Sequence, residues 1–261
     1  MKRQSFNFKF KQMRKQQKGA LKLRGTHGDF NFAQTQDGFV WREKAKFDKE
    51  KFLKNPQIAK TVSEFTRAGK AVKLLRTAFE RQMLKAKDSR LTARMQKQVM
   101  AVIKEDSIHD WGERTVIDGD PVHLHLFQCN ADSIFSAMLG TDYNCSIDRP
   151  TGEVLFNVPS FVPKRSMRKP DLATHFRLLT AAAVLDFDAN TCITAANETD
   201  FMPIDKLPTA PISLSHMLPA GSVLPIYAVA GLEFTKVVNG FPNDLEGNKY
   251  NSLCIVKIEH P

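Results

Sequence analysis

Two histidines and a cysteine near the middle of the chain come closest to a metal-binding pattern. Apolar and polar residues alternate over 122–128, which predicts a strand on which His123 and His125 share one face and Cys129 continues the same parity. Zinc sites use three or four ligands at recognisable spacing, and this set falls short of that number. The apolar Leu124 between the histidines would turn both imidazoles toward solvent. We therefore predict no metal ligand in this segment.

No other short motif carries the residues of a known reaction. Asp118-Gly119-Asp120-Pro121 lacks the alternating oxygen ligands and the closing Glu of a calcium loop, so it predicts a turn. Gly25-Thr26-His27-Gly28 lacks the Lys-Ser/Thr ending of a phosphate-binding loop. A hydrolase needs a nucleophile beside a base and an orienting acid, and the sequence contains no GxSxG elbow. We predict a non-enzymatic protein with no catalytic residue, no cofactor and no small-molecule substrate.

The clearest binding chemistry lies in the cations and phenylalanines at the start of the chain. Phenylalanines alternate there with polar and basic residues, which predicts a strand with one aromatic and one basic face. Such rings stack on unpaired bases, and such cations neutralise phosphates. The alternative is that the rings are buried and the lysines are solvated. The candidate residues for contact with a polyanion or with a second subunit are Lys2, Arg3, Phe6, Phe8, Lys9, Phe10, Lys11, Arg14, Lys15, Lys18, Lys22 and Arg24.

Charge is divided unevenly along the 261 residues. Residues 1–115 hold 28 Lys and Arg against 12 Asp and Glu, a net charge of +16. Residues 116–261 hold 10 against 16, a net charge of −6, so the halves together give the +10 of the whole chain. A division this large indicates that the basic part contacts either a polyanion or the acidic part of another copy. The other explanation is two domains whose surfaces are each solvated.

Three regions follow from charge and patterning. They are a basic aromatic arm over 1–18, a basic β-meander with amphipathic helices over 19–115, and an acidic β-sandwich over 116–261. The arm strand either folds back onto its own domain or adds to an exposed sheet edge of another chain. Within the meander, Gln36-Asp37-Gly38 between alternating runs predicts a tight hairpin.

The helical middle begins at Asn55-Pro56, where Asn is a good N-cap and Pro suits the first helical position. Gly69 lies on the apolar stripe of this helix and predicts a close approach or a break. A second amphipathic helix is predicted from Leu91 to about Glu105. The stripe of the first helix consists of Ile58, Val62, Phe65, Val72, Leu75, Phe79 and Met83.

After Trp111 the pattern changes to short alternating runs separated by turns. Hairpins at regular spacing favour an antiparallel sandwich of immunoglobulin-like type, so the predicted fold class is α+β. A short helix is predicted within 131–139. The predicted strands are 122–128, 143–147, 154–158, 175–187, 191–201, 212–214, 223–235 and 250–258.

The compartment is inferred from the cysteines and from the absence of export signals. Cys129, Cys145, Cys192 and Cys254 are scattered without a CxxC pair, which is typical of reduced core cysteines. The basic start lacks the apolar core of a signal peptide, and no run of about 18 apolar residues predicts a membrane span. We predict a cytoplasmic protein, with a non-classical extracellular or particle location left open.

Several segments carry a resemblance to a known family. Gly28–Phe32, Asp37–Arg42, Glu64–Lys70, Ser89–Thr92 and Gly112–Thr115 resemble a family of Bacteroidota proteins of similar length that has no established activity. The resemblance implies a bacterial source, an N-terminal β segment, a helical middle, a β-rich C-terminal part and no recognised enzymatic machinery. It supplies no catalytic or binding residues, and the basic lead-in departs from the family pattern.

Two functions fit these observations. The first is a structural protein that assembles head to tail with copies of itself, the basic N-terminal half of one subunit contacting the acidic sandwich of the next. The product would be a filament, a tube or a shell. The alternative is a nucleic-acid-binding protein whose basic half neutralises phosphates without sequence preference. No pattern of a sequence-reading domain is present.

Overall fold

The computed structural model divides the chain into two compact units. The first is Met1–Asn55 and the second is Pro56–Pro261. The predicted mixed α+β fold with antiparallel sheets is confirmed. The arm strand predicted before residue 17 lies outside the described residues and stays a prediction. The described residues are 17–18, 22–35, 38–44, 55–245 and 249–260.

The first unit contains a four-stranded antiparallel sheet in the order β1-β4-β3-β2. Its strands are β1 (Gln17–Lys18), β2 (Gly25–His27), β3 (Phe30–Thr35) and β4 (Gly38–Glu43). β3 and β4 pair as the predicted hairpin requires, with Thr35 directly opposite Gly38, while residues 36–37 of the predicted turn lie outside the described residues. Gly38 has a φ of 113°, a conformation that glycine adopts without a steric penalty.

Three helices form one layer of the second unit. They are α1 (Pro56–Ala78), α2 (Glu80–Lys85) and α3 (Leu91–Lys104). The predicted start at Pro56 and the predicted second helix are confirmed. None of the helices that the structure describes is long and apolar enough to cross a membrane.

The apolar stripe of α1 is buried along its C-terminal half but not at its beginning. Leu75 is fully buried, as is Phe79 directly after the helix, whereas Val62 and Phe65 are 48% and 56% exposed. Gly69 neither breaks the helix nor marks a close approach. A methyl group added there would meet its first neighbouring atom, on Gln96, at 4.0 Å, an ordinary contact. The expectation for Gly69 is therefore wrong.

The strands of the second unit form a six-stranded and a three-stranded antiparallel sheet. In the larger sheet β11 is central and pairs with β7 along one side. Along its other side β11 pairs first with β13 and then, nearer its C-terminal end, with β12. The outer side of β7 pairs with β8 and β9, and the smaller sheet has the order β10-β6-β5. The strands are β5 (Asn144–Asp148), β6 (Glu153–Val158), β7 (His175–Asp186), β8 (Thr191–Glu198), β9 (Met202–Pro203), β10 (Ile212–Met217), β11 (Ile226–Val238), β12 (Phe241–Asp244) and β13 (Ser252–Glu259).

The six-stranded sheet lies between two different layers. Leu185 and Tyr227 on one face pack against the helical layer around Leu75. On the other face Leu178 packs with the aromatic core of the three-stranded sheet, which includes Phe156. Two short helices, α4 (Phe135–Leu139) and α5 (Pro163–Ser166), lie in the connecting segments. An immunoglobulin-like sandwich consists of two packed sheets, so the added helical layer leaves that topology unconfirmed.

The strand predicted over 122–128 is wrong. Pro121–Leu124 form a 3-10 turn, and the Asp120 carboxylate accepts a hydrogen bond from the Val122 N–H at 2.8 Å. Proline has a fixed φ that suits the first helical position, and aspartate is a favoured cap. Local capping thus overrides the alternation. His123 and His125 therefore do not share the face of a strand.

The segment after this turn covers the outer edge of β13. The Leu126 N–H donates to the Ile255 carbonyl at 2.9 Å, and the Cys129 N–H donates to the Leu253 carbonyl at 2.7 Å. These bonds satisfy backbone groups that an edge strand would otherwise expose to solvent. This edge of the larger sheet is therefore protected.

Candidate assembly edge and cationic cleft

Most of the residues predicted to contact a polyanion or a second subunit lie outside the described residues. Lys18 lies in β1 opposite Val40, and Lys22 and Arg24 are exposed on the first unit. The structure brings no two of these three into a described contact with each other. The candidates outside the described residues are Lys2, Arg3, Phe6, Phe8, Lys9, Phe10, Lys11, Arg14 and Lys15.

The helical layer carries a strong excess of positive charge. Residues 56–104 contain 12 Lys and Arg against three Asp and Glu, a net charge of +9. Two of the three acids, Glu64 and Asp88, are already paired with Arg114 and Arg94. The remaining acid, Glu80, is exposed. The surface of this layer is therefore cationic, a property that favours anionic partners.

Three cations of this layer line one cleft. Lys73 and Arg76 of α1 and Lys87 after α2 border a depression of about 160 Å³. Apolar side chains at its wall include Met83 and Leu91, both buried. Within the part of the chain that the structure describes, none of these three cations has an ion-pair partner. We call this feature the cationic cleft.

The inward-facing charges of the helical layer are structural. The buried Glu64 carboxylate accepts hydrogen bonds from Arg114 Nε at 2.7 Å and from the Gly112 N–H at 2.9 Å. Burial alone would raise the pKa of Glu64, but the hydrogen bonds from Arg114 and Gly112 outweigh it and lower the pKa. This pair fastens the segment after α3 to α1. Its groups are already satisfied, so they are poor candidates for ligand binding.

A cluster of two aspartates and a histidine is the described group that could hold a metal ion. One ligand atom each from Asp106, His109 and Asp118 lie within 4.8 Å of one another. The Asp106 carboxylate already accepts four hydrogen bonds, from the backbone N–H groups of Ile108, His109 and Thr115 and from His109 Nδ1. Since His109 Nδ1 then carries a proton, it is not a free ligand. We interpret the cluster as a loop clamp.

The same hydrogen bonds determine the ionisation of Asp106. Burial would raise its pKa, but the three backbone N–H donors and His109 lower it to about 2. The charged carboxylate thus stabilises the loop between α3 and the 3-10 turn.

A second charged cluster joins α2 to the larger sheet. Lys85 Nζ lies 3.1 Å from Glu198 and 3.2 Å from Glu233, and Arg177 contacts both carboxylates, at 3.0 and 2.8 Å. Arg81 adds a more exposed contact to Glu198 at 3.5 Å. Every charged group of this cluster is paired with a group of opposite charge, so we interpret the cluster as structural.

The outer edge of β8 has a different character. The Thr199 N–H donates to the Leu178 carbonyl at 3.1 Å, and this bond sets the phase of the β7–β8 ladder. Alternation from Thr199 then directs the backbone groups of Cys192, Thr194 and Ala196 away from β7. Among the described residues no strand is hydrogen-bonded to β8 on that side, although β10 of the smaller sheet lies close to it. These residues therefore offer unpaired donors and acceptors.

The smaller sheet also has two edges in the described part of the chain. The Leu218 N–H donates to the Gly152 carbonyl at 2.9 Å, which directs the backbone of Ser213, Ser215 and Met217 in β10 outward. The other edge is β5. None of β5, β8 and β10 contains a Lys or Arg, the residues that commonly protect edge strands.

Sequence reasoning missed both features. The periodicity of a helix does not show which of its cations will lie beside those of another element. Sequence reasoning recognised the β8 strand, but edge position depends on strand order, which local patterning does not contain. The absence of Lys and Arg from 191–198 was the available signal.

Comparisons with protein-family models, with curated proteins and with solved structures give no match to this chain.

Proposed function

We propose that the protein is a structural subunit that assembles with copies of itself, the basic N-terminal part of one copy contacting the acidic C-terminal part of the next. The observation that carries this proposal is the unprotected edge of β8, where Cys192, Thr194 and Ala196 leave backbone hydrogen-bonding groups unpaired. Natural sheets protect such edges, and an added strand satisfies them.

Charge supports the direction of this contact. Exposed Asp188 and Asp200 flank β8 at its two ends, and the strand itself carries no cation. A cationic segment approaching this edge meets no like charge on the strand. The attraction acts over roughly 10 Å at moderate salt, while main-chain pairing supplies the short-range bonds. A contact between different surfaces of identical subunits closes into a ring or grows into a filament.

Light scattering after size exclusion tests the proposal. The full chain and a version beginning at Gly19 are compared at low and high salt, with absorbance read at 260 and 280 nm. We expect large species without nucleic acid for the full chain and monomers for the shortened chain. Monomers of both versions at every concentration would refute assembly.

Binding of nucleic acid is a second candidate, favoured by the cationic cleft. Lys73, Arg76 and Lys87 line the cleft together with one carboxylate, that of Glu80, and among the described residues none of the three cations forms an ion pair. Each phosphate neutralised on a single strand contributes about −0.7 to the slope of log affinity against log salt.

Charge reversal at the cleft tests this second function. The triple change Lys73→Glu, Arg76→Glu and Lys87→Glu is expected to weaken binding of a thymidine oligonucleotide at least about ten-fold and to reduce the salt slope by about 2. The matched control reverses three cations in and after α5: Lys164, Arg165 and Arg168, all exposed. Equal binding by both triple variants would exclude the cleft as the nucleic-acid site.

A further inference from the structure

We infer that the outer edge of β8 is the acceptor for residues 6–11 of a second copy, which add to it as a strand. This inference rests on the proposed assembly and names the two segments that join. It makes β8, and neither β5 nor β10, the docking edge. The observations that favour β8 are its length, its unpaired backbone groups beside small side chains, and the exposed Ile193 on one of its faces.

Length separates β8 from β5, whereas β8 and β10 each direct three residues outward, so the side chains decide between those two. β8 has eight residues, β10 has six and β5 has five. A six-residue strand can pair along its whole length on β8 and still leave the ends free. Its three outward residues, Cys192, Thr194 and Ala196, each present one donor and one acceptor, enough for about six hydrogen bonds.

The pairing geometry of β8 is ready for an added strand. Thr194 and Ala196 are exposed, and their small side chains leave room for a close approach. The Glu198 N–H is satisfied by the Asn197 side chain at 2.9 Å, so the unpaired stretch ends there. Glu198 itself is held by Lys85 and Arg177, which leaves the flanking aspartates as the free acids.

The face of β8 toward the three-stranded sheet suits an aromatic strand. Ile193 lies opposite Val184 on that face and is 56% exposed. In residues 6–11 the phenylalanines occupy alternate positions, so all three would fall on one face of the added strand. Placed toward Ile193, they would cover an exposed apolar side chain and leave Lys9 and Lys11 on the face toward the helical layer, so apolar contact and main-chain pairing, not charge, favour this orientation.

The attachment of the arm is compatible with a donated strand. The arm joins the first unit at β1, where Gln17 pairs with Trp41 and Lys18 with Val40. The five residues between residue 11 and β1 span about 17 Å when fully extended. Residues 6–11 can therefore extend well beyond the sheet to which β1 belongs.

Cross-linking between labelled and unlabelled copies tests the inference. Every chain carries Asn7→Cys in a Cys145→Ser, Cys192→Ser background, and one acceptor cysteine is placed on each edge in turn. The acceptors are Thr194→Cys on β8, Ser215→Cys on β10 and Ser146→Cys on β5, all at exposed positions. A short bis-maleimide joins nearby thiols, and mass spectrometry of an isotope-mixed sample separates links between copies from links within one.

We expect mixed-label links to Thr194→Cys at least about ten-fold above those to the other two acceptors, because a bound segment has a high local concentration. Links confined to β10 or β5 would overturn the choice of edge while assembly stands. Links found only within one chain would show that the arm folds back on its own molecule. Monomers throughout would refute the proposed function itself.

Proline variants give an independent measurement. Thr194→Pro removes an outward N–H, so we expect the fold to persist and the assembly to dissociate at about ten-fold higher concentration. The matched control is Ser215→Pro, which removes an outward N–H from β10. Equal dissociation by both variants, or by neither, would overturn the assignment to β8. Circular dichroism of each variant confirms that it is folded before the comparison is made.

Discussion

The two layers that cover the six-stranded sheet are held in different ways. The helical layer is fastened by buried charged pairs, such as Glu64 with Arg114, in addition to its apolar core. The three-stranded layer is fastened mainly by aromatic and aliphatic contacts around Phe156, with one ion pair, between Arg149 and Glu259 of β13. A helix satisfies its backbone internally, so its surface can hold cations, whereas a sheet leaves edges with unpaired groups. The helical layer therefore suits long-range attraction of anionic partners. The edges of the two sheets suit direct hydrogen bonding to an added strand.

The largest expected loss of stability comes from truncating a buried side chain in either layer. Phe156→Ala leaves a cavity in the three-stranded layer and should cost about 3–5 kcal/mol of unfolding free energy. Glu64→Ala leaves the Arg114 guanidinium without its partner and should cost about 3 kcal/mol at neutral pH. Urea unfolding followed by circular dichroism measures both. The exposed Glu80→Ala is the control and should lie within about 0.5 kcal/mol of the original protein.

The two stability losses should depend differently on pH. The pKa of Glu64 is lowered in the folded state, so its contribution is lost from the original protein as the pH falls through that value. The cost of Glu64→Ala should therefore shrink in acid, while the cost of Phe156→Ala persists. A cost of Glu64→Ala that does not change with pH would contradict the role of the charged pair.

Asp106, in the loop after α3, should give a loss of stability in a defined acidic pH range. Its folded pKa of about 2 lies below its ordinary value of 3.8, and its side chain is fully buried. The stabilisation is complete above pH about 4 and disappears as the pH falls toward about 2, a loss of about 2 kcal/mol. Urea midpoints measured across this pH range should show the loss. In Asp106→Asn that part of the pH dependence should be missing.

The smallest effect has the opposite sign. The Tyr227 hydroxyl is buried between the helical layer and the larger sheet and has no hydrogen-bond partner among the described residues. Removing it in Tyr227→Phe should stabilise the protein by about 1 kcal/mol, because an unsatisfied polar group is lost. A loss of stability in thermal unfolding would show instead that a bound water satisfies the hydroxyl. Tyr143→Phe, at a half-buried position, is the matched control.

Local signals in the sequence predicted the elements better than their arrangement. The Asn55-Pro56 start of α1 and the strand pairing of the predicted hairpin are confirmed because capping and turn chemistry act over a few residues. The strand over 122–128 failed because the Asp120 cap and Pro121 outweighed a weak alternation. Charge grouped the helices with the N-terminal strands, whereas the apolar residues of α1 share a core with the larger sheet.

The candidate sites could not be predicted from the sequence, because each is formed by segments that are distant along the chain. The cationic cleft needs α1 to meet the segment after α2, and the β8 edge needs the strand order of the sheet. Neither follows from periodicity, which specifies faces but not neighbours. The basic composition of residues 1–18 is evident from the sequence, but the partner of these residues is not.

Amide hydrogen exchange along β8 tests strand addition most directly. The outward N–H groups of Cys192, Thr194 and Ala196 have no described partner within one chain, so they should exchange quickly in the version that begins at Gly19. In the assembled full chain we expect their exchange to slow at least about 100-fold, since an added strand would accept these hydrogen bonds. Equal exchange of these amides in both versions, at concentrations where the full chain is assembled, would contradict strand addition at β8.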